Sequence, residues 1–287
     1  MSIDTGRTTA TATATATALR PADPGLAVTF PRVMKSEWIK MRSVRSIVIT
    51  LLASAVVVIG IGVVAASVKA DNITTTGQSA ARGQALGSDS TGISLAGVQL
   101  AQLIVAIVGV LLVTSEYSTG SIRSTLAAVP RRWPMVLGKV IVFGAATFVV
   151  ELVAVFIAFF AGQAILGSKG VSLGDSGVLQ AVIGAAIFLT GTGLLGVALG
   201  FLLRSTASGI AVAVGAFFLL PGILNLFSTS VQDAIRPYLP SSAGTSLTSV
   251  THSSDYLNYW PALLSLVIYV VVLTAAALLR MMRSDAT

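Results

Sequence analysis

The sequence predicts an all-α integral membrane protein with six transmembrane helices, and three observations carry that prediction. Mean hydropathy is +0.89 and only 10% of the residues are charged, against roughly 25% in soluble globular domains. Six apolar runs, at 47–68, 93–114, 136–161, 178–203, 207–227 and 260–279, each approach the about 20 residues that a helix needs to cross a bilayer. Most of the charge collects at the ends of these runs. Helices are expected because a lipid-exposed backbone must satisfy its own hydrogen bonds.

Residues 1–31 precede the first membrane-directed element. They are low in complexity, with an alternating Thr-Ala tract from Thr8 to Ala18. The tract has no apolar core of the kind a signal peptide carries, so it reads as a disordered tail. Organised sequence begins near Met34, which is a second candidate start. The six-span domain is expected over 32–283.

Residues 32–46, RVMKSEWIKMRSVRS, form the first element. Met34, Trp38 and Met41 fall at i, i+4 and i+7, among Arg32, Lys35, Lys40, Arg42 and Arg45. That pattern predicts a basic amphipathic helix lying in the plane of the headgroups, with Trp38 as its interfacial anchor.

The spans follow in order. The fourth and fifth are separated only by Arg204-Ser205-Thr206, which makes them a tight hairpin. Pro221 lies within the fifth run and predicts a kink there. The long connection at 228–259 holds Tyr238, Pro240, Tyr256, Tyr259 and Trp260, a composition that predicts a partly re-entrant or interfacial segment.

An even number of spans puts both termini on one side. That side carries 14 of the 18 Lys and Arg residues. The other has Lys69, Arg82, Lys169 and Arg236, together with Asp71, Asp89, Asp175, Asp233 and Asp255. The positive-inside rule then predicts cytoplasmic termini and a multi-pass protein of the plasma membrane. The net charge of +7 is thereby explained by topology, and no nucleic-acid partner is implied.

Several chemistries are excluded or weakened. The chain has no cysteine and a single histidine, His252, so no cysteine or histidine cluster can hold a metal within it. His252 sits in sequence beside Ser253 and Asp255, but adjacent residues cannot orient one another as a catalytic relay does. Gly191, Gly193 and Gly196 formally match GxGxxG; inside an apolar span the sound reading is close helix packing, which Gly196 and Gly200 also invite as GxxxG. No GxxxxGK[ST] occurs, so an ATPase, if one drives this chain, is expected on another polypeptide.

Two polar residues lie within the runs. Glu151 falls near the middle of the third span, and Gln102, at a similar depth on the second, is its expected partner. A carboxylate there marks either a substrate or proton-linked site or a satisfied interhelical hydrogen bond.

Residues 116–133, EYSTGSIRSTLAAVPRRW, interrupt the apolar runs on the terminal side. A helix from Ser121 would place Ile122, Leu126 and Val129 on one face before Pro130 ends it. Such a face needs covering by headgroups, by the rest of the chain or by a partner.

Two of these stretches carry a resemblance. SEWIKMRSVRS at 36–46 and EYSTGSIRSTLAAVPRR at 116–132, with YLPSSAG at 238–244, together resemble the type-2 ABC transporter permease family, most of all its actinobacterial exporters. The resemblance implies a permease that forms a dimer with a second copy or a paralogue. It also implies a cytoplasmic ABC ATPase subunit, which would bind ATP and magnesium, while this chain binds no cofactor. The coupling helix would be about Ser121–Val129, with Glu116 and Tyr117 at its entry and Ile122, Arg123, Leu126 and Val129 facing the ATPase or packing under the spans. The substrate path would run between the permeases along spans two and five, past Leu103, Ile107, Phe217 and Phe218. Membrane lipid is the remaining partner. Two rival readings stand beside this one: a channel or secondary carrier using Glu151, and a non-transporting scaffold.

Overall fold

A computed structural model describes residues 29–74, 90–122, 132–251 and 255–283. The chain is helical throughout, with no strand among the described residues. Six helical segments are long and apolar enough to cross a membrane. The low-complexity tail expected at 1–31 falls almost wholly outside the described residues.

The first helix, α1 (Phe30–Ser43), begins with Pro31 in its first turn, where the missing N–H costs nothing. The face it buries within the bundle is Val33, Glu37 and Met41. Trp38 and Ile39 stand 44% and 56% exposed. Glu37 is on the buried face because it pairs with a lysine on another helix, described below.

Span 1 is α2 (Arg45–Thr74), and span 2 is α4 (Val98–Ser118) after a short helix, α3 (Ser90–Ser94). Residues 93–97, expected inside the second span, instead form the end of α3 and a turn. Span 3 is α5 (Trp133–Leu166) and span 4 is α6 (Val178–Leu203). Span 5 joins α7 (Thr206–Val214) to α8 (Leu220–Leu224) through a π-helical turn at Gly215–Leu219. Two further helices, α9 (Thr229–Ile235) and α10 (Pro240–Thr248), precede span 6, α11 (Tyr259–Arg283).

Span 4 is the centre of the bundle: 78% of its apolar window is buried, against 22% for each of spans 5 and 6. Its most extensive contact is with span 2. A Cβ on Gly196 would lie 2.1 Å from the Ala106 carbonyl oxygen, and one on Gly109 would lie 2.1 Å from that of Gly193. Small residues here let two backbones touch, which is how apolar helices gain contact in lipid. The glycine pattern of span 4 therefore serves packing within the chain.

The π turn has a local cause. Pro221 has no N–H to return to the carbonyl four residues back, and its ring crowds that carbonyl. The helix widens just before it, and the Leu220 N–H bonds to Gly215 O, five residues earlier. Pro221 thus perturbs span 5 as expected, by a π turn that the helix survives.

The 228–259 connection folds back on the bundle. In α10, Ser242, Ala243, Gly244, Ser246, Leu247 and Thr248 are buried, against spans 4 and 6. Span 4 admits it at Gly184, where a Cβ would lie 2.2 Å from Leu247 O. The end of the bundle bearing α1 is called proximal below, and the end bearing α10 distal.

Candidate functional site

Three polar groupings lie along the bundle. The proximal one joins three segments far apart in sequence. Lys139, in the second turn of span 3, is 2% exposed. Its Nζ donates to Glu37 Oε2 on α1 at 2.6 Å and to Glu116 Oε1 on span 2 at 2.8 Å. Lys40 closes the group, with its Nζ 2.7 Å from Glu37 Oε1 and 3.7 Å from Glu116 Oε1. Two lysines face two glutamates, so the cluster is neutral. Burial pushes the Glu37 carboxyl up, but Lys139, with Lys40, outweighs it and leaves Glu37 below the ordinary carboxylate value.

Next to it, the Arg204 guanidinium sits 5.5 Å from the centroid of the Tyr117 ring, within cation–π range. Arg204 ends span 4 with a left-handed backbone, φ 54°. Arg280 donates to the Leu202 carbonyl, and Arg132 Nη1 donates to Met281 O at 2.6 Å. The ends of spans 2, 3, 4 and 6 are thereby tied to one another and to α1.

The expected docking residues divide between described and undescribed chain. Glu116 and Tyr117 sit in the proximal grouping. Ile122 is 5% exposed and packs in a core cluster with Met41, Ile47 and Met135. Its side chain is therefore spent within this chain, the second of the two roles expected for it. Arg123, Leu126 and Val129 lie outside the described residues.

The middle grouping is Glu151, fully buried on span 3. It accepts a hydrogen bond from Ser54 Oγ on span 1 at 2.5 Å. Gln102, the expected partner, donates from Nε2 to Gln99 O at 2.8 Å and to Gln99 Oε1 at 3.1 Å. The two face different neighbours, and no hydrogen bond joins them among the described residues. Glu151 Oε2 and Gln102 Oε1 are both buried without a partner.

The distal grouping surrounds a cavity of about 360 Å³. Gln99 and Gln102 of span 2, Phe217 and Phe218 of the π turn, Arg236 and Tyr256 are in its wall. Of the four expected path residues, Phe217 and Phe218 reach it. Leu103 and Ile107 are half-buried and do not line it. The π turn helps place this pair: Phe217 is 4% exposed and Phe218 37%.

Sequence reasoning missed Glu37, Lys139, Ser54 and Arg236. A signal existed for the first two. Lys139 lies inside the apolar run at 136–161, where an unpaired ammonium is costly, and a glutamate precedes each of two neighbouring spans.

A six-span helical bundle with charges tied at one end and a polar cavity at the other describes a membrane permease. A family model for ABC-2 family transporter proteins matches residues 32–286, and the chain belongs to that family. It is a membrane subunit of a transporter, not itself catalytic, and the kind of partner such a permease takes is an ABC ATPase. No curated protein matches the chain.

Proposed function

We propose that this chain is the permease half of an ATP-driven exporter of the plasma membrane. Its proximal end faces the cytoplasm, the 116–133 segment seats a separate ATPase, and α1 lies in the plane of the inner headgroups. The observation that carries this reading is the Glu37–Lys139–Glu116 cluster. It ties α1, the exit of span 2 and the entry of span 3 directly beside the segment that would take the ATPase. A push on that segment would be delivered to three elements as one body. Alternating access needs such a coupled element, because an effector shifts an equilibrium only through contacts that differ between the two states.

Leu126 and Val129 are the docking side chains in this reading, while Ile122 anchors the start of the segment in the chain's own core. The exposed apolar faces of spans 5 and 6 suit lipid or a second permease, a copy or a paralogue. The export direction follows from the family resemblance of the two cytoplasmic stretches. Replacing Leu126 with Asp is expected to lower both ATPase co-purification and ATP-dependent efflux by tenfold or more, about 1.4 kcal/mol of docking energy, while leaving the unfolding temperature unchanged. Normal co-purification together with normal efflux would sink the docking role.

The rival with a specific observation behind it is a proton-linked carrier, since Glu151 is fully buried with one oxygen unpartnered. It is the weaker reading because Ser54 gives Glu151 a local partner and no cation pairs with it among the described residues.

A further inference from the structure

The distal cavity has a wall whose chemistry is unevenly satisfied. Gln102 is 2% exposed, and both hydrogen bonds of its amide nitrogen go to Gln99. Its Oε1 is left without a donor. A buried acceptor in that state is stabilised by any donor brought to it. Across the cavity, Arg236 Nη2 donates to Asn225 Oδ1 at 2.9 Å and to Gln232 Oε1. Both acceptors are neutral amides, and no carboxylate lies within ion-pair distance of Arg236 among the described residues. The guanidinium is therefore oriented by neutral neighbours and forms no ion pair among the described residues.

The remaining wall is mixed, with Asn225, Ser241, Ser242 and Thr245 beside its apolar and aromatic side chains. Phe217, Phe218 and Tyr256 line it, and just beyond Phe218 the chain presents Leu219 and Ile223, 56% and 48% exposed. The cavity thus passes from a cation and an amide acceptor to an apolar surface suited to hydrocarbon. An oriented guanidinium selects phosphate, sulfate or carboxylate. The amide oxygen selects a hydroxyl.

The geometry points to a binding site for an anionic amphiphile with a hydroxyl-bearing head: the anion on Arg236, the hydroxyl on Gln102 Oε1, and the hydrocarbon along Phe217 and Phe218. This assignment rests on reading the chain as a permease whose path includes the cavity, and it names the class of cargo.

The test is a titration of full-length protein in uncharged detergent with phosphatidylglycerol and, separately, phosphatidylcholine of the same acyl chains, with bound lipid counted by native mass spectrometry. Phosphatidylglycerol is expected to bind about tenfold more tightly, equivalent to 1.4 kcal/mol. Arg236→Gln should erase the preference. Gln102→Leu should weaken phosphatidylglycerol alone by about fivefold, within the range of one lost hydrogen bond. Lys169→Gln, which removes a different distal cation, should leave the preference intact. Equal affinity for the two lipids in the parent protein would overturn the assignment without needing any variant. A preference that survives Arg236→Gln, or disappears equally in Lys169→Gln, would overturn it too. The titration involves no ATPase, so a failure of the Leu126→Asp experiment would count against the docking reading alone.

Discussion

The two ends of the bundle handle charge in opposite ways. At the proximal end Lys139, Glu37, Glu116 and Lys40 form a neutral group around the Lys139 ammonium, with Glu116 Oε2 the one oxygen of its carboxylates left without a partner. At the distal end Arg236 is held by neutral amides, and a buried glutamine oxygen has no donor. The backbone follows the same division. Spans 2, 3, 4 and 6 are cross-tied where they meet α1, whereas span 5 passes the cavity through a π turn and a proline. Charges that neutralise one another hold together elements far apart in sequence. Polar groups left incomplete make a place for something else to bind.

The contrast is broken most severely at Lys139. Replacing it with Ala would leave Glu37 and Glu116 buried near each other without their shared cation, at a cost of about 3–5 kcal/mol. A large drop in the thermal unfolding midpoint in detergent is expected, and a variant as stable as the parent would show that the cluster contributes little. Combining Glu37→Gln with Lys139→Met should recover part of the loss, because apolar replacement of a buried pair is often neutral.

Acid sharpens the same point with a smaller effect. Glu37 in the folded protein lies below its ordinary carboxylate value of 4.5. A depressed carboxylate contributes stability that is fully present above the unfolded value and is lost as pH falls through the folded one. The unfolding midpoint should therefore decline on acidification below about pH 4.5, and Glu37→Gln should flatten that decline. Equal slopes in the two proteins would remove Glu37 as the responsible group.

The smallest effect is expected at Glu151. Gln keeps its shape and still offers an oxygen to the Ser54 hydroxyl, so Glu151→Gln should shift stability by less than about 1 kcal/mol and leave ATP-driven efflux intact. Efflux that continues without ATP and fails in this variant would favour the proton-linked carrier instead.

The spans were legible because hydropathy and length are local properties, and six runs of the right size leave little choice of architecture. The close approach of spans 2 and 4 was legible in type, through Gly196 and Gly200, but its partner was not. Periodicity gives a residue's depth and its face on its own helix, without saying which helix that face meets. For this reason Gln102 was matched to Glu151 by depth while Ser54 holds the bond. A hydrophobic reading cannot foresee that Glu37 turns inward to a lysine 102 positions away. Phe217 and Phe218 were placed on the path by resemblance and do line the cavity; Leu103 and Ile107 share span 2 with Gln102 but not its exposure to that space.

The proximal cluster also constrains how the protein is made. Glu37 and Glu116 leave the ribosome before Lys139 does, and neither has a cation able to carry it into a dry interior until that lysine arrives. Lys40 is on the surface side of α1 and stays 39% exposed even in the finished fold. The first helix therefore cannot take its buried seat when it is synthesised. Its pairing with Lys139 can form only after the third span has been made, so α1 is first in the chain and among the last elements to be locked.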